Sequence, residues 1–447
     1  MNDNTRAQAG DSAPVSNGEP TTAVGKRTSS RTGHSRRRFL VASGATGAAA
    51  LAGCVGGLGG GGDSGPIKIG ALGPLQSSVG QDLKAGTQMA IDELNANDGI
   101  LGRDVELHMA DSQNDPGVAK KKYTELTLQE EVDVTTGGWL GPVINVIMEG
   151  MKDSKTLHIG DAGASIAPND LIKEDYETYK YWFRIAENAV TSAYNRFAFI
   201  KDNWKQHGWD KIAVIYEDLG YNQFQQQYFE QSFSDIGAEN VLSLRYPTDT
   251  KDFSTIFDKV ESAGADMLYG VIAVTGTPAV TQWYKQQRPF QLVGTVSAAQ
   301  QSSFFNNVNG NCQYFISTIA DVPGGAITDQ TVPFQEKFKK QHDQYPSLTG
   351  YYGYMTVNAF AAAAETAGNV NSDDLVDALE NMKKKSLLGT LEFYGRDNRN
   401  VHDAIMDKDH IYWQFFQWQE ENGAGVQKSV WPEDRANGTY QTPPWLQ

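Results

Sequence analysis

The residues that could do chemistry in this 447-residue chain are few, and their spacing excludes more than it offers. Of the seven histidines, His34 lies in a polar leader, and His108, His158, His207, His342, His402 and His410 are scattered. None falls in an H-E-x-x-H pair that would put two imidazoles on one helix face for a metal. No G-x-S-x-G elbow presents a nucleophilic serine. The glycine run Gly59–Gly62 precedes any strand, so it is no dinucleotide fingerprint. Neither a cofactor nor a metal is expected, and the chain reads as a binder rather than a hydrolase or an NAD-dependent oxidoreductase. Two thiols remain. Cys312, in Asn311-Cys312-Gln313-Tyr314-Phe315, reads as a small buried hydrophobe.

Cys54 is placed differently. It closes Leu51-Ala52-Gly53-Cys54, after a weakly apolar Gly/Ala run that begins behind Ser35-Arg36-Arg37-Arg38-Phe39-Leu40. A charged segment, a short apolar core and a small-residue cleavage site describe an export signal. Its apolar run falls short of the ~20 residues a membrane span needs. Arg36 and Arg37 with Phe39-Leu40 behind them resemble a twin-arginine signal, which carries folded proteins across a membrane. Leu51–Cys54 resembles a lipobox, whose cysteine becomes the lipidated first residue. The expected location is therefore the outer face of the cell membrane, with lipid on Cys54 and no intrachain disulfide. Residues 1–53 read as signal and disordered leader, and 54–65 as a Gly-rich tether.

The elements that must position any site begin at Ile67. The chain has 38 Lys and Arg against 54 Asp and Glu, a net charge of −16. This balance argues against nucleic acid as a partner. It fits plain solubility or a high-salt setting. Apolar runs at Ile67–Leu72, Val105–Ala110, Val132–Thr135 and Thr156–Ile159 alternate with helical periodicity, predicting a βαβαβαβ lobe. After Asn188 the pattern restarts, with strands at Lys211–Tyr216, Val241–Leu244, Ala265–Ile272 and Gln291–Gly294. Helices are predicted near 221–236, 252–263 and 277–288, then at 328–344, 350–367 and 372–382. A short strand-rich tail contains Tyr412–Trp418, whose aromatics should pack in a core. Near-continuous apolar strands alternating with helices predict parallel sheets covered on both faces, an α/β fold of two lobes.

Ile69–Leu75, Val79–Gly86, Ala90–Asn95 and Gly99–Gly102 resemble the opening of the leucine/isoleucine/valine-binding type of periplasmic binding protein. Asp111–Pro116, Phe183-Arg184, Lys211–Tyr216 with Gly220-Tyr221, Tyr246–Phe253 and Gly389–Phe393 extend the likeness over roughly 66–420. The resemblance implies two Rossmann-like lobes joined by a three-segment hinge: 66–187 with 320–402, and 188–319 with 403–447. Hinge residues are expected near Ala186–Ala189, Ile319–Val322 and Asn400–Ala404. It implies a small-molecule ligand in the cleft, at the carboxyl ends of the strands, and an ABC permease and ATPase as partners. Carried over by position, the ligand-binding residues are Gln76 and Ser77 after the first strand, Trp139 and Leu140 after the third, and Gly163, Ala164 and Ser165 after the fourth. Tyr221, Ala273 and Ser297 come from the second lobe. Amino acid binders place an acidic partner for the ligand ammonium where this chain has Val296-Ser297, and Asp161 or Asp218 is the available substitute. The implied ligand is a branched-chain or related amino acid, with urea, a short amide or a neutral apolar acid as the alternative. A ligand-sensing receptor subunit is the other functional reading.

Overall fold

The computed structural model describes residues 65–447; the expected signal, Arg36, Arg37, Cys54 and nearly all of the tether lie outside the described residues. The first lobe is built on a five-stranded sheet in the order β2-β1-β3-β4-β5. Its strands are β1 (Ile67–Gly73), β2 (Val105–Asp111), β3 (Val134–Gly137), β4 (Leu157–Gly160) and β5 (Trp182–Arg184). Every pairing in it is parallel. Between them run α1 (Ser78–Asn95), α2 (Pro116–Thr124), α3 (Gly141–Ser154), α4 (Ala167–Glu174) and α5 (Tyr176–Tyr179). Asp115 caps α2 by accepting from the Val118 amide, with Pro116 at the first turn, the start that the sequence predicts. The sequence pattern contains four of these strands; β5 is only three residues long and too short for periodicity to reveal.

The chain then crosses into α6 (Ala189–His207) and a second sheet. Its parallel part consists of β6 (Lys211–Glu217), β7 (Glu239–Tyr246), β8 (Met267–Val271), β9 (Gln291–Thr295) and β10 (Ile316–Ile319). Helices α7 (Asn222–Ile236), α8 (Ser254–Ser262), α9 (Gly276–Gln286) and α10 (Phe304–Asn307) connect them. A second crossing leads back to α11 (Thr331–His342), α12 (Leu348–Ala367) and α13 (Ser372–Glu380), and to the hairpin β11 (Lys383–Ser386) and β12 (Gly389–Glu392). A third crossing returns to β13 (Gln414–Glu421) and β14 (Ala424–Trp431), which add antiparallel strands beyond β10. The complete sheet has seven strands, β14-β13-β10-β9-β8-β6-β7.

One boundary differs from the expected division. Residues from 403 onward were assigned to the second lobe, but Ala404, Met406, Ile411 and Trp413 pack in the first core. Backbone pairing of Asp403 with Arg184 and of Ala404 with Phe393 keeps this segment on the first lobe until Gln414. The aromatic run behaves as expected: Phe415, Phe416 and Trp418 are buried on β13, on the two faces of the second sheet. Cys312 is buried as well, and no helix among the described residues is long and apolar enough to cross a membrane.

Buried polar side chains knit the crossings together. Arg184 is 0 % exposed and grips Asp403 through Nε at 2.8 Å and Nη2 at 2.7 Å. The same carboxylate accepts from Asn188 at 2.7 Å and Asn169 at 2.9 Å, so the first crossing is tied to the first-lobe segment that leads into the third. Asp321, on the second crossing, accepts from Gln414 at 2.6 Å and Gln335 at 3.0 Å. Each of these groups would be costly to bury alone, and together they fix where the chain passes between lobes.

Candidate functional site

Parallel strands end with the same polarity, so each sheet presents one edge of loops and helix N-termini, where anions and carbonyls find free N–H groups. In the first lobe these loops are 73–77, 137–141 and 161–166. Gly137 has φ 107° and Gly163 has φ 83°, values that favour glycine. A Cβ on Gly163 would lie 2.1 Å from Ile144 Cδ1 and 2.8 Å from the Gly138 carbonyl, so the loops after β3 and β4 lie side by side. Trp139 and Leu140 are thus brought beside Gly163, Ala164 and Ser165, all half-buried.

Arg184 stiffens this corner from behind. Its Nη1 donates to the carbonyls of Gly163 at 2.8 Å and Ser165 at 2.6 Å. The Ser165 hydroxyl accepts from the Ala167 amide at 3.3 Å, leaving its own proton to donate outward. Ser77 has less to offer: its hydroxyl donates to the Pro74 carbonyl at 2.8 Å and caps α1 through the Gly80 amide. Gln76 is exposed on the same loop.

In the second lobe Tyr221 precedes α7, Ala273 follows β8 and Ser297 follows β9, so three adjacent strand ends carry them. Sequence reasoning missed Glu217 at the end of β6. Its buried carboxylate accepts from the amides of Ala273 at 2.7 Å, Val274 at 2.8 Å and Thr275 at 3.0 Å. The Ala273 amide is therefore engaged within the protein, and Glu217 shapes the loop that carries it. Of the two substitute carboxylates, Asp218 is exposed and pairs with Arg245 at 2.7 Å. Asp161 is the opposite case. It is 1 % exposed, neither oxygen has a partner, and burial pushes its pKa up to about 7.

Between the two rows lies a group that sequence reasoning also passed over. Glu187, on the first crossing, has a buried Oε2 without a partner, and burial raises its pKa to about 7 against the pull of Arg196. Arg196, on the second turn of α6, is 2 % exposed and stands 5.7 Å from the Trp413 ring. Tyr221 feels both charges, although burial dominates and pushes its phenol up to about 12. A signal was present in the sequence: Ala189–Ile200 carries apolar residues on more than one helical face, the mark of a buried helix.

The lobes touch at the rims of the cleft. Gln301 donates to Asp82 across it at 3.4 Å, and the Arg399 guanidinium lies 5.3 Å from the Phe224 ring. Two surface grooves of about 730 and 460 Å³ involve α12, α13, β11 and α11 and include none of the strand ends of the two large sheets. No three His, Cys, Asp or Glu side chains among the described residues converge as a metal site requires.

Two lobes with strand-end loops and three crossings define a bilobal α/β fold. The model of the family described as periplasmic binding protein matches residues 66–408, and the chain belongs to that family. Leu/Ile/Val-binding protein homolog 2 of Brucella abortus (strain 2308) is 23 % identical over 356 residues, covering 76 % of this chain and 89 % of the relative. A solute-binding protein of an ABC transporter from Rhodopseudomonas palustris BisB5, in complex with 3,4-dihydroxybenzoic acid, shares the fold. It has a TM-score of 0.69 and 18 % identity, covering 85 % of this chain and 99 % of that one. The branched-chain amino acid transporter substrate-binding protein from Streptococcus pneumoniae, in complex with isoleucine, has a TM-score of 0.66 and 16 % identity. The match covers 81 % of this chain and 99 % of that one.

Proposed function

We propose that this chain is the solute-capturing component of an ABC importer, exported by the twin-arginine route and held at the outer membrane face by lipid on Cys54. It takes a branched-chain or related small amino acid between its lobes and presents the closed form to a permease and its ATPase. The observation that carries this reading is the strand-end corner of the first lobe. There Arg184 holds the Gly163–Ser165 loop rigid while the Ser165 hydroxyl remains free to donate. Preorganised donors of this kind bind a carboxylate without paying to order it first. Relatives named for branched-chain amino acids support the amino acid reading. An aromatic acid is the second reading, favoured by the dihydroxybenzoate-bound neighbour and by the buried rings of Tyr352 and Trp413 beside Glu187 and Arg196.

A melting-temperature screen with L-leucine, L-isoleucine, 4-hydroxybenzoate and urea tests the capture. A solute at a hundred times its Kd stabilises by ~2.7 kcal/mol, so the cognate class should stand out. No shift with any of them, at millimolar concentrations, counts against capture of these classes. For the anchor, Cys54→Ser should release exported protein into the medium, and retention after a salt wash contradicts lipidation. Arg36→Lys with Arg37→Lys should leave precursor inside the cell, and undiminished export contradicts the twin-arginine route.

A further inference from the structure

We propose that Arg196 and Glu187 are the two polar poles of the binding site. Arg196 shares the carboxylate of the solute with the Ser165 corner of the first lobe, and Glu187 accepts a hydrogen bond from a donor elsewhere on the same molecule. The ligand class is then a small organic acid that also carries an ammonium or a hydroxyl group. This inference rests on the capture reading above and adds the chemistry of recognition to it.

The argument begins from a contrast between two buried arginines. Arg184 meets Asp403 twice, Asn169 once and two loop carbonyls, so its fork is occupied. Arg196 is as deeply placed, yet its Nε and Nη1 have no hydrogen-bond partner in the protein. A guanidinium stays charged at any pH a protein survives, and its desolvation is costly unless an anion or several acceptors face it. The Trp413 ring at 5.7 Å offsets part of that cost but supplies no acceptor for the fork.

The remaining groups converge on the same place from both lobes and a crossing. Glu187 lies within electrostatic reach of Arg196, but its buried Oε2 is not bonded to it or to anything else. The hydroxyls of Tyr269 on β8 and Thr295 on β9 neighbour each other, also without a standard hydrogen bond, and Tyr269 feels the Arg196 charge. Tyr352, from α12 of the first lobe, accepts from Trp413 Nε1 at 2.9 Å and lies near Glu187. The result is a buried cation and a carboxylate set among the rings of Tyr269, Tyr352 and Trp413. A planar, bidentate fork suits a carboxylate. Rings of Trp and Tyr suit an aromatic ring or a branched aliphatic group.

The test uses acids paired with analogues that lack one pole, measured by calorimetry on the full chain. L-Leucine is compared with L-leucinamide and 4-methylpentanoate, and 4-hydroxybenzoate with 4-hydroxybenzamide and benzoate. The ammonium and hydroxyl sources of the donor are thereby separated. In one series the acid should bind at least tenfold more tightly than both analogues. Arg196→Met should sharply reduce the preference for acid over amide, and Glu187→Met should remove the preference for the analogue carrying the donor. Arg196→Lys keeps the charge without the fork, so it should retain the acid preference at reduced affinity, and it serves if the methionine variant fails to fold. Equal binding of acid and amide by the unsubstituted protein overturns the assignment. So does an intact acid preference in a folded Arg196→Met. Binding of urea with none of the acids overturns it while leaving solute capture standing, whereas binding of neither sinks both.

Discussion

Ser165 and Asp161 sit five positions or fewer from the end of the same strand, yet their environments give them opposite energetics. Ser165 keeps a hydroxyl proton for a ligand oxygen, and a hydrogen bond to a charged group contributes ~1.5–3 kcal/mol. Ser165→Ala should therefore weaken binding of a carboxylate solute roughly ten- to a hundredfold, with the melting temperature of the free protein little changed. Unchanged affinity by calorimetry removes Ser165 from the site. Asp161 instead opposes folding near neutral pH. Below about pH 4 it is protonated folded and unfolded, so it contributes no penalty; from there to its folded value of about 7, only the unfolded chain ionises and the native state loses ground. Asp161→Asn should raise stability at pH 8 by a few kcal/mol and change it little at pH 4. His158 works in the reverse sense, since burial lowers its pKa to about 3 and costs stability as pH falls below 6.5. A parallel denaturation series at the two pH values separates them, and an equal effect of Asp161→Asn at both contradicts the buried, proton-holding carboxyl. From sequence Asp161 is visible as a candidate carboxylate, but not its isolation. That depends on what the neighbouring strands do not supply.

At the scale of elements, the loops were more legible than the contacts that hold them. Gly163, Ser165, Trp139 and Leu140 could be placed at strand ends because Val132–Thr135 and Thr156–Ile159 read as strands, each with glycine within the next two residues. Glu217 could not be read in the same way. It ends β6 in sequence, but its three amide partners come from residues 273–275, which only strand pairing of β6 with β8 brings near. Glu217→Ala leaves those buried N–H groups without an acceptor, at roughly 1–3 kcal/mol each where water does not replace it. Denaturant unfolding should show a loss of about 3 kcal/mol or more, together with weaker solute binding through a loosened Ala273 loop. A loss below 1 kcal/mol contradicts this role. The division at 402/403 missed for a related reason: Ala404, Met406, Ile411 and Trp413 read as equally apolar in either lobe, and the pairing of Asp403 with Arg184 decides between them. Across the cleft, the Arg399–Phe224 contact is exposed and worth ~0.5–1 kcal/mol. Arg399→Ala should cost two- to fivefold in affinity by favouring the open form, while an unchanged affinity shows that the contact does not help closure.

For the whole molecule, alternating apolar strands and amphipathic helices were enough to expect two parallel-sheet lobes, because central strands such as β1, β6 and β8 are buried on both faces and leave that trace in sequence. The antiparallel extension of the second sheet by β13 and β14 was legible only as a strand-rich tail, since its pairing with β10 spans the third crossing. Buried polar ties among the crossings leave rotation about them as the natural movement, with Asn188, Asp321 and Asp403 as fixed points. Ligand drives that movement only if it touches both lobes in the closed form and one in the open form. On the proposed reading, Tyr221 from the second lobe and Ser165 from the first make that difference. Small-angle scattering, with and without whichever of L-leucine, L-isoleucine, 4-hydroxybenzoate or urea raises the melting temperature, measures closure directly. The account predicts a smaller radius of gyration at saturation for the unsubstituted protein, and a smaller decrease for Tyr221→Ala at concentrations that saturate it. A radius that stays the same with saturating solute contradicts capture by closing lobes.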